Sequence, residues 1–352
     1  MALAANTVSA GEAKEDTLMW RQPEHRQRNR KIFDDELDDF LPPKILDFHI
    51  HVVNDGVYTP GEPQPCAGHP IEKYDFDDLR LDLPHALPRR DVYGVCFGSP
   101  HPQFDWQRNN RYLAEHSDHE RFFPLRVFHP GLDTPEQLRT DIEAGRFYGL
   151  KPYPDFVDTD DVNQVEIHQM LPDWCMDIAD SLGLIIMLHI PRRDRLADPV
   201  NQQQIVELAR RYPNAKIILA HIGRAYFLKC VVGHLGRLKD LPNVYVDLAM
   251  LNHPEVLQYT FQQLPAERIL FGTDIPIALA PGKSVEINDQ YTYVTPVPWK
   301  LSISDDHGKI KFASFLNEQL RAVKKAVGTA GLGPDFVEQI FFSNGMKLLG
   351  RL

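Results

Sequence analysis

The 352-residue chain has no excess of basic residues, few cysteines and no long apolar run, and each shortage removes a class of function. Lys and Arg number 38 against 49 Asp and Glu, a formal charge of −11. Nucleic-acid binding relies on clustered Lys and Arg, so no nucleic-acid partner is expected, nor adhesion to an anionic membrane surface. The four cysteines, Cys66, Cys96, Cys175 and Cys230, form no C-x-x-C pair. That argues against a disulfide framework and a structural zinc site. No apolar stretch approaches the ~20 residues of a membrane helix. The opening segment MALAANTVSAGEAKEDTLMW lacks an apolar core preceded by positive charge, so no secretory signal is expected and a cytoplasmic location is.

What is present is an alternation. Residues 1–42 are polar and charged, ending in the acidic patch Asp34-Asp35-Glu36-Leu37-Asp38-Asp39. They read as an N-terminal arm, either disordered or carrying a short helix laid over the rest. From 43 to 352, eight short apolar runs alternate with amphipathic stretches. The runs are 45–51, 93–98, 123–129, 148–151, 184–189, 217–221, 244–247 and 269–274. Several are almost wholly apolar, as parallel strands covered on both faces are. Ile205, Leu208, Ala209 and Tyr212 keep helical spacing before Pro213 stops them. Leu171–Ala179 reads as a helix with Pro172 in its first turn and Gly183 closing it. This α/β alternation leaves a closed (β/α)8 barrel or an open doubly wound sheet. Long connections follow the first run (52–74, with Pro60, Gly61, Pro63, Pro65 and Gly68) and the eighth (275–311). Connections of that length usually serve as lids or binding loops.

Chemistry enters with Asp47-Phe48-His49-Ile50-His51. Strand alternation predicts Asp47, His49 and His51 on one face and Phe48 and Ile50 on the other, so two imidazoles can grip one cation. An isolated H-x-H is common by chance, and the argument rests on the other strand ends. Lys151, His189, His221 and Asp274 each stand at the end of an apolar run. An open sheet would string these ends along a line. A closed barrel rings them around one mouth, where active sites of that fold sit.

The series D-F-H-I-H, G-L-K-P, L-H-I-P, A-H-I-G-R and F-G-T-D-I-P resembles the amidohydrolase superfamily, in its amidohydrolase-related branch, from residue 45 to about 350. The stretch Ile340–Leu349 is similar to that branch's closing helix. The branch includes decarboxylases, hydratases and lactonases acting on carboxylate-bearing substrates. The resemblance implies a (β/α)8 TIM barrel that binds one or two divalent ions, zinc by default with manganese or iron as alternatives. It implies His49, His51 and Asp274 as ligands of one ion, and His189 as ligand of that ion or a second. His221 would bind the second ion or hydrogen-bond the attacking water. Lys151 would bridge two ions as a carboxylated lysine, or stay an ammonium that pairs with a substrate carboxylate.

The implied activity is hydrolysis by a metal-activated hydroxide, with Asp274 and His221 carrying the proton transfers. Its substrate would be an ester, lactone, thioester or amide of a small organic acid. The alternative is a non-oxidative decarboxylase on the same frame. Arg224, Tyr153 and His129 are candidates for substrate contact, Arg224 by anion pairing. Asp247, ending the seventh run, can orient a ligand histidine or cap a helix. Arg192 and Arg193 can bind anions or form a solvated loop. Tyr291, Tyr293 and Trp299 can form an apolar lid or a subunit contact, and a homodimer is the assembly that base rates favour.

Overall fold

Each apolar run becomes a parallel strand in the computed structural model, which describes residues 18–58, 64–100, 104–299, 302–305 and 307–352. The strands are β1 (Lys44–His51), β2 (Asp91–Phe97), β3 (Phe122–Phe128), β4 (Gly149–Pro152), β5 (Ile185–Leu188), β6 (Lys216–Leu219), β7 (Val244–Asp247) and β8 (Ile269–Leu270). They lie side by side in chain order in one sheet. The sheet closes on itself beyond β8. Phe48 donates its N–H to Phe271 O, Asp274 donates to His49 O, and His51 donates to Ile275 O, so residues 271–275 pair with β1. The architecture is a TIM barrel.

Two apolar layers follow from strand alternation. Inside the barrel pack Leu46, Phe48, Val95, Phe97, Phe123, Leu125, Met187 and Ile218. The outer layer joins Ile45, Ile50, Cys96, Ile186, Ile217 and Val246 to the helices. Among those helices are α1 (Pro23–Ile32), α2 (Phe76–Ala86), α3 (Trp106–His116), α4 (Pro135–Gly145), α5 (Asp173–Leu182), α6 (Pro199–Arg211), α7 (Pro254–Gln263) and α8 (Phe315–Thr329). Asp75 caps α2 through the N–H groups of Asp77 and Asp78, and Gly183 ends α5 in the left-handed conformation. Pro172 sits just outside α5, as its N-cap. The C-terminal turn Asn344–Leu348 closes the floor, with Met346, Leu348 and Leu349 in the inner layer.

One strand departs from simple alternation. The β1–β2 register shifts between Asp47 and Ile50, a bulge that inserts an extra residue into β1. Phe48 therefore packs inside while Ile50 packs outside. The expectation that Phe48 and Ile50 share a face, opposite Asp47, His49 and His51, is corrected accordingly. Asp47 binds the backbone of His49 and Thr273 and the Thr273 hydroxyl, whereas both imidazoles sit against the inward Phe97 ring, 4.9 and 5.0 Å between centroids.

Of the arm, residues 18–42 pack on the barrel, and residues 1–17 lie outside the described residues, as do Pro60, Gly61 and Pro63 of the first long connection. Trp20 is buried and donates its indole N–H to Asp82, which Arg21 and Arg26 also reach. Phe33 and Leu37 join the outer core, and Arg321 pairs with Glu36. His25 on α1 is 5% exposed, with Nε2 placed 3.3 Å from Leu279 O and 2.7 Å from Asn29 Nδ2. Burial pushes its pKa down from 6.5 to about 4. The unfolded chain thus takes up this proton first as pH falls, and His25 withdraws up to about 3 kcal/mol of stability between pH 6.5 and 4. His25→Gln, which does not titrate, is expected to lose less stability over that window. Urea midpoints of both proteins from pH 7 to 4 check this, and parallel curves would refute it.

Candidate metal centre

The C-terminal ends of β1, β4, β5, β6 and β8 surround a cavity of about 150 Å³. Its wall holds His49, His51, Lys151, Tyr153, His189, His221 and Asp274, with Val53, Cys66, Ile71, Pro100, Pro276 and Ile277 as its less polar part. A larger hollow of about 340 Å³ lies on the outer shell between α3 and α4.

Asp274 is the centre of the polar half. His51 Nε2 is 2.9 Å from its Oδ1, His49 Nε2 is 3.6 Å from the same oxygen, and His221 Nε2 is 3.8 Å from Oδ2. One donor atom each from His49, His221 and Asp274 lie within 4.8 Å of one another, so this triad can hold one metal ion. The second nitrogen of every ring is already engaged. His49 Nδ1 is 2.9 Å from Asp247 Oδ2, His51 Nδ1 is 2.9 Å from Gly98 O, and His221 Nδ1 is 3.0 Å from Ala249 O. A carbonyl oxygen only accepts, so Nδ1 of His51 and His221 carries the proton. Nε2 of each ring is then left facing Asp274, so a proton or a cation lies between nitrogen and carboxylate wherever the two attract. The donor set fits a divalent ion.

The electrostatics point the same way. Burial, then the Lys151 charge, pushes His49 down to about 3, so this ring is neutral at ordinary pH. Burial opposes ionisation of Asp274, yet His49, His51 and His221 hold its carboxyl well below the usual range. Asp247 behaves alike: His49 and the His221 backbone overcome its burial. Burial pushes Lys151 down to about 8. Its Nζ has no hydrogen-bond partner among the described residues and rests 4.6 and 5.0 Å from the ring centroids of Phe97 and Tyr153.

Backbone strain sits on the same residues. Asp274 has φ 73°, and His221, Ile222, Gly223 and Arg224 form a left-handed turn with φ between 52° and 65°. Non-glycine residues rarely hold this conformation unless their surroundings enforce it. At His221 the enforcement is visible: Asp247 Oδ1 accepts the His221 N–H at 2.8 Å while Oδ2 holds His49. One carboxylate thus ties β1, β6 and β7 together. At the closure, a Cβ on Gly272 would stand 2.9 Å from His49 Cβ, so a side chain there would push His49 aside.

The remaining candidates are placed differently. His189 lines the cavity with its Nδ1 buried and unpartnered among the described residues. Tyr153 also lines it, but its hydroxyl donates to Gly98 O at 2.9 Å. His129 does not line it; the ring stacks on Phe156 and lies against Trp106, and Nδ1 accepts the Gly131 N–H. Arg224 stands outside the cavity wall and donates to Ile190 O at 3.1 Å. Arg192 pairs with Asp198. Tyr291 and Tyr293 belong to strand Gln290–Thr295 of a small sheet and, with Trp299, pack inside the chain, Tyr291 on Tyr226 and Tyr293 on Trp299. Sequence reading did not find Thr273, Cys66, Tyr226 or Arg195, since no spacing links them to the histidines.

A family profile described as amidohydrolase matches residues 46–351. No curated protein matches the chain. Solved structures share its fold at low identity. Amidohydrolase 2 from Bifidobacterium longum subsp. infantis is 15% identical over 88% of this chain and 99% of its own, with a TM-score of 0.53. The 5-carboxyvanillate decarboxylase of Sphingomonas paucimobilis is 13% identical over 88% and 99%, with a TM-score of 0.54. A protein of Pseudomonas putida provisionally assigned as a 2-pyrone-4,6-dicarboxylic acid hydrolase is 17% identical over 88% and 99%, with a TM-score of 0.53. With the profile running from β1 to the floor of the barrel, the chain belongs to the amidohydrolase family.

Proposed function

We propose that this protein is a metal-dependent hydrolase of an ester, lactone, thioester or amide of a small carboxylate-bearing molecule. The observation that carries the reading is the ring of Nε2 atoms from His49, His51 and His221 turned on the Asp274 carboxylate. These four residues would hold a divalent ion, with His189 at the edge of the same cavity. Zinc is the default for nitrogen and carboxylate donors, with manganese or iron as alternatives. Such an ion, when bound, lowers the pKa of water and polarises a carbonyl.

The chain's own residues supply the rest. Asp274 is ionised and faces the cavity, so it takes the proton from the attacking water and returns it to the leaving group. His221, with its Nδ1–H on Ala249 O, has one free lone pair, on Nε2: it goes to the ion or, where His49, His51 and Asp274 alone hold the ion, accepts from that water and orients it. Lys151 is a buried ammonium without a counter-ion among the described residues, placed to receive a substrate carboxylate. A carboxylated Lys151 would belong to a site with two ions. Bound metal near one equivalent per chain supports the ammonium role.

The wall contributed by Val53, Ile71, Pro100, Pro276 and Ile277 favours a second reading. A carboxylate stripped of water there would be activated for loss of CO2, making the enzyme a non-oxidative decarboxylase. Turnover in 18O-labelled water separates the two: hydrolysis puts the label in the product acid, while decarboxylation releases CO2 and leaves the product unlabelled.

The purified protein is expected to carry metal and to lose activity on chelation, and undiminished turnover by fully stripped protein would reject the proposal. His49→Ala and Asp274→Asn should lose both ion and turnover, the latter by about 10³-fold or more. Asp247→Asn should keep the ion-binding atoms yet weaken metal affinity by about 10- to 100-fold, because the carboxylate orienting His49 is gone. Metal titration followed by elemental analysis reads this out.

A further inference from the structure

Beside the metal centre, on the side of the loops after β5 and β6, two guanidinium groups share one partly buried space. Arg224 belongs to the left-handed turn after β6, and Arg195 opens the short 3-10 turn Arg195–Ala197. The two turns pack together, since a Cβ on Gly223 would stand 3.2 Å from Leu196, and burial, then the like charge of Arg195, makes Arg224 less basic. Arg224 stands three residues after His221 and reaches Ile190, the neighbour of His189, which brings its charge to the edge of the cavity. Among the described residues the Arg224 side chain gives one hydrogen bond, to Ile190 O. Arg195 donates to the Tyr291 hydroxyl at 2.9 Å, and its buried Nε has no partner among the described residues.

Neither arginine has a carboxylate within 4.0 Å among the described residues, although the neighbouring Arg192 is paired with Asp198 at 3.0 Å. Two like charges gathered away from water without a counter-ion are costly, and an anion from outside removes the cost. The walls are aromatic. The Arg195 guanidinium lies 4.3 Å from the Tyr291 centroid and 5.5 Å from that of Tyr226. Tyr226 is 5.7 Å from the His221 ring, 4.7 Å from Tyr291, and Tyr291 is 5.5 Å from Tyr293. One ring, Tyr226, therefore separates the metal donors from Arg195.

We propose that Arg195 and Arg224 form an anion subsite that takes a carboxylate remote from the reacting group of a planar, unsaturated acid. The identity of the reacting group rests on the hydrolase reading above; the subsite itself does not. The flat guanidinium fork suits a carboxylate in bidentate fashion, and the tyrosine faces suit a planar body between the two ends. Arg195 is thus a specificity-determining residue, held in place by the loop after β8.

The test is calorimetry on metal-loaded and metal-stripped protein with benzene-1,3-dicarboxylate and benzoate as probes. The dicarboxylate is expected to bind about tenfold or more tightly than benzoate, and this preference should collapse in Arg195→Gln and in Arg224→Gln. Tyr291→Phe, which removes only the hydroxyl that Arg195 holds, should weaken the preference in part. It serves as the readout if either arginine variant fails to fold by circular dichroism. Equal binding of both probes by the wild type, or an unchanged preference in the folded variants, overturns the subsite. A preserved preference in a protein that hydrolyses no ester or lactone leaves the subsite standing and removes the hydrolase reading instead.

Discussion

Two carboxylates, Asp247 and Asp274, sit at the mouth of the barrel where water is scarce, and most of the local structure serves to keep both ionised. A bare carboxylate in such a place would take up a proton. Here Asp247 is held by the His49 ring and by two backbone N–H groups, those of His221 and Ala249. Asp274 faces the Nε2 atoms of His49, His51 and His221, and it stays ionised there when a proton or a cation lies between them. The difference sets their roles. Asp247 has its acceptor capacity taken up by groups that fix geometry, while Asp274 keeps oxygens directed at the cavity.

Satisfying these charges constrains the backbone. The barrel closes where β1 meets residues 271–275, and both partners are irregular there: β1 carries a bulge and Asp274 is left-handed. The bulge turns His49 and His51 inward although Phe48, one residue earlier, also points inward. Asp47, facing away from the cavity, accepts from Thr273 N and Oγ1 and so anchors the irregular segment that presents Asp274. Gln319 of α8 reaches the same seam from outside, donating to Gly272 O and Leu248 O. The strain is distributed over a network of buried hydrogen bonds, which is how unfavourable dihedrals persist at a site.

Around this fixed centre the loops differ in character. The connections after β1 and β8 contribute Val53, Cys66, Ile71, Pro276 and Ile277, a largely apolar cover. Those after β5 and β6 bring Arg195, Arg224 and Tyr226, facing tyrosines from the small sheet that follows β8. The barrel mouth thus joins a donor set that can hold one metal ion to a rim of arginines and tyrosines. No helix among the described residues is long and apolar enough to cross a membrane.

The eight strands were legible because each is a short apolar run with a polar end, and burial on both faces demands that pattern. The convergence of His49, His51, Lys151, His189, His221 and Asp274 was legible too, since a closed barrel brings all strand ends to one mouth. Alternation failed inside β1, where a bulge depends on pairing with β2 and leaves no mark in D-F-H-I-H itself. His129 directly follows β3 as His189 directly follows β5, yet its ring stacks on Phe156, which reaches it from the loop after β4. Asp247 could be read as cap or orienting group, and only its place between His49 and the His221 backbone decided it. Local sequence determined which residues sit at strand ends, because that depends on hydrophobicity along the chain. Tertiary structure decided where each side chain turns and what neutralises it, because contacts such as Asp47 to Thr273, 226 residues apart, exist only once the barrel has closed.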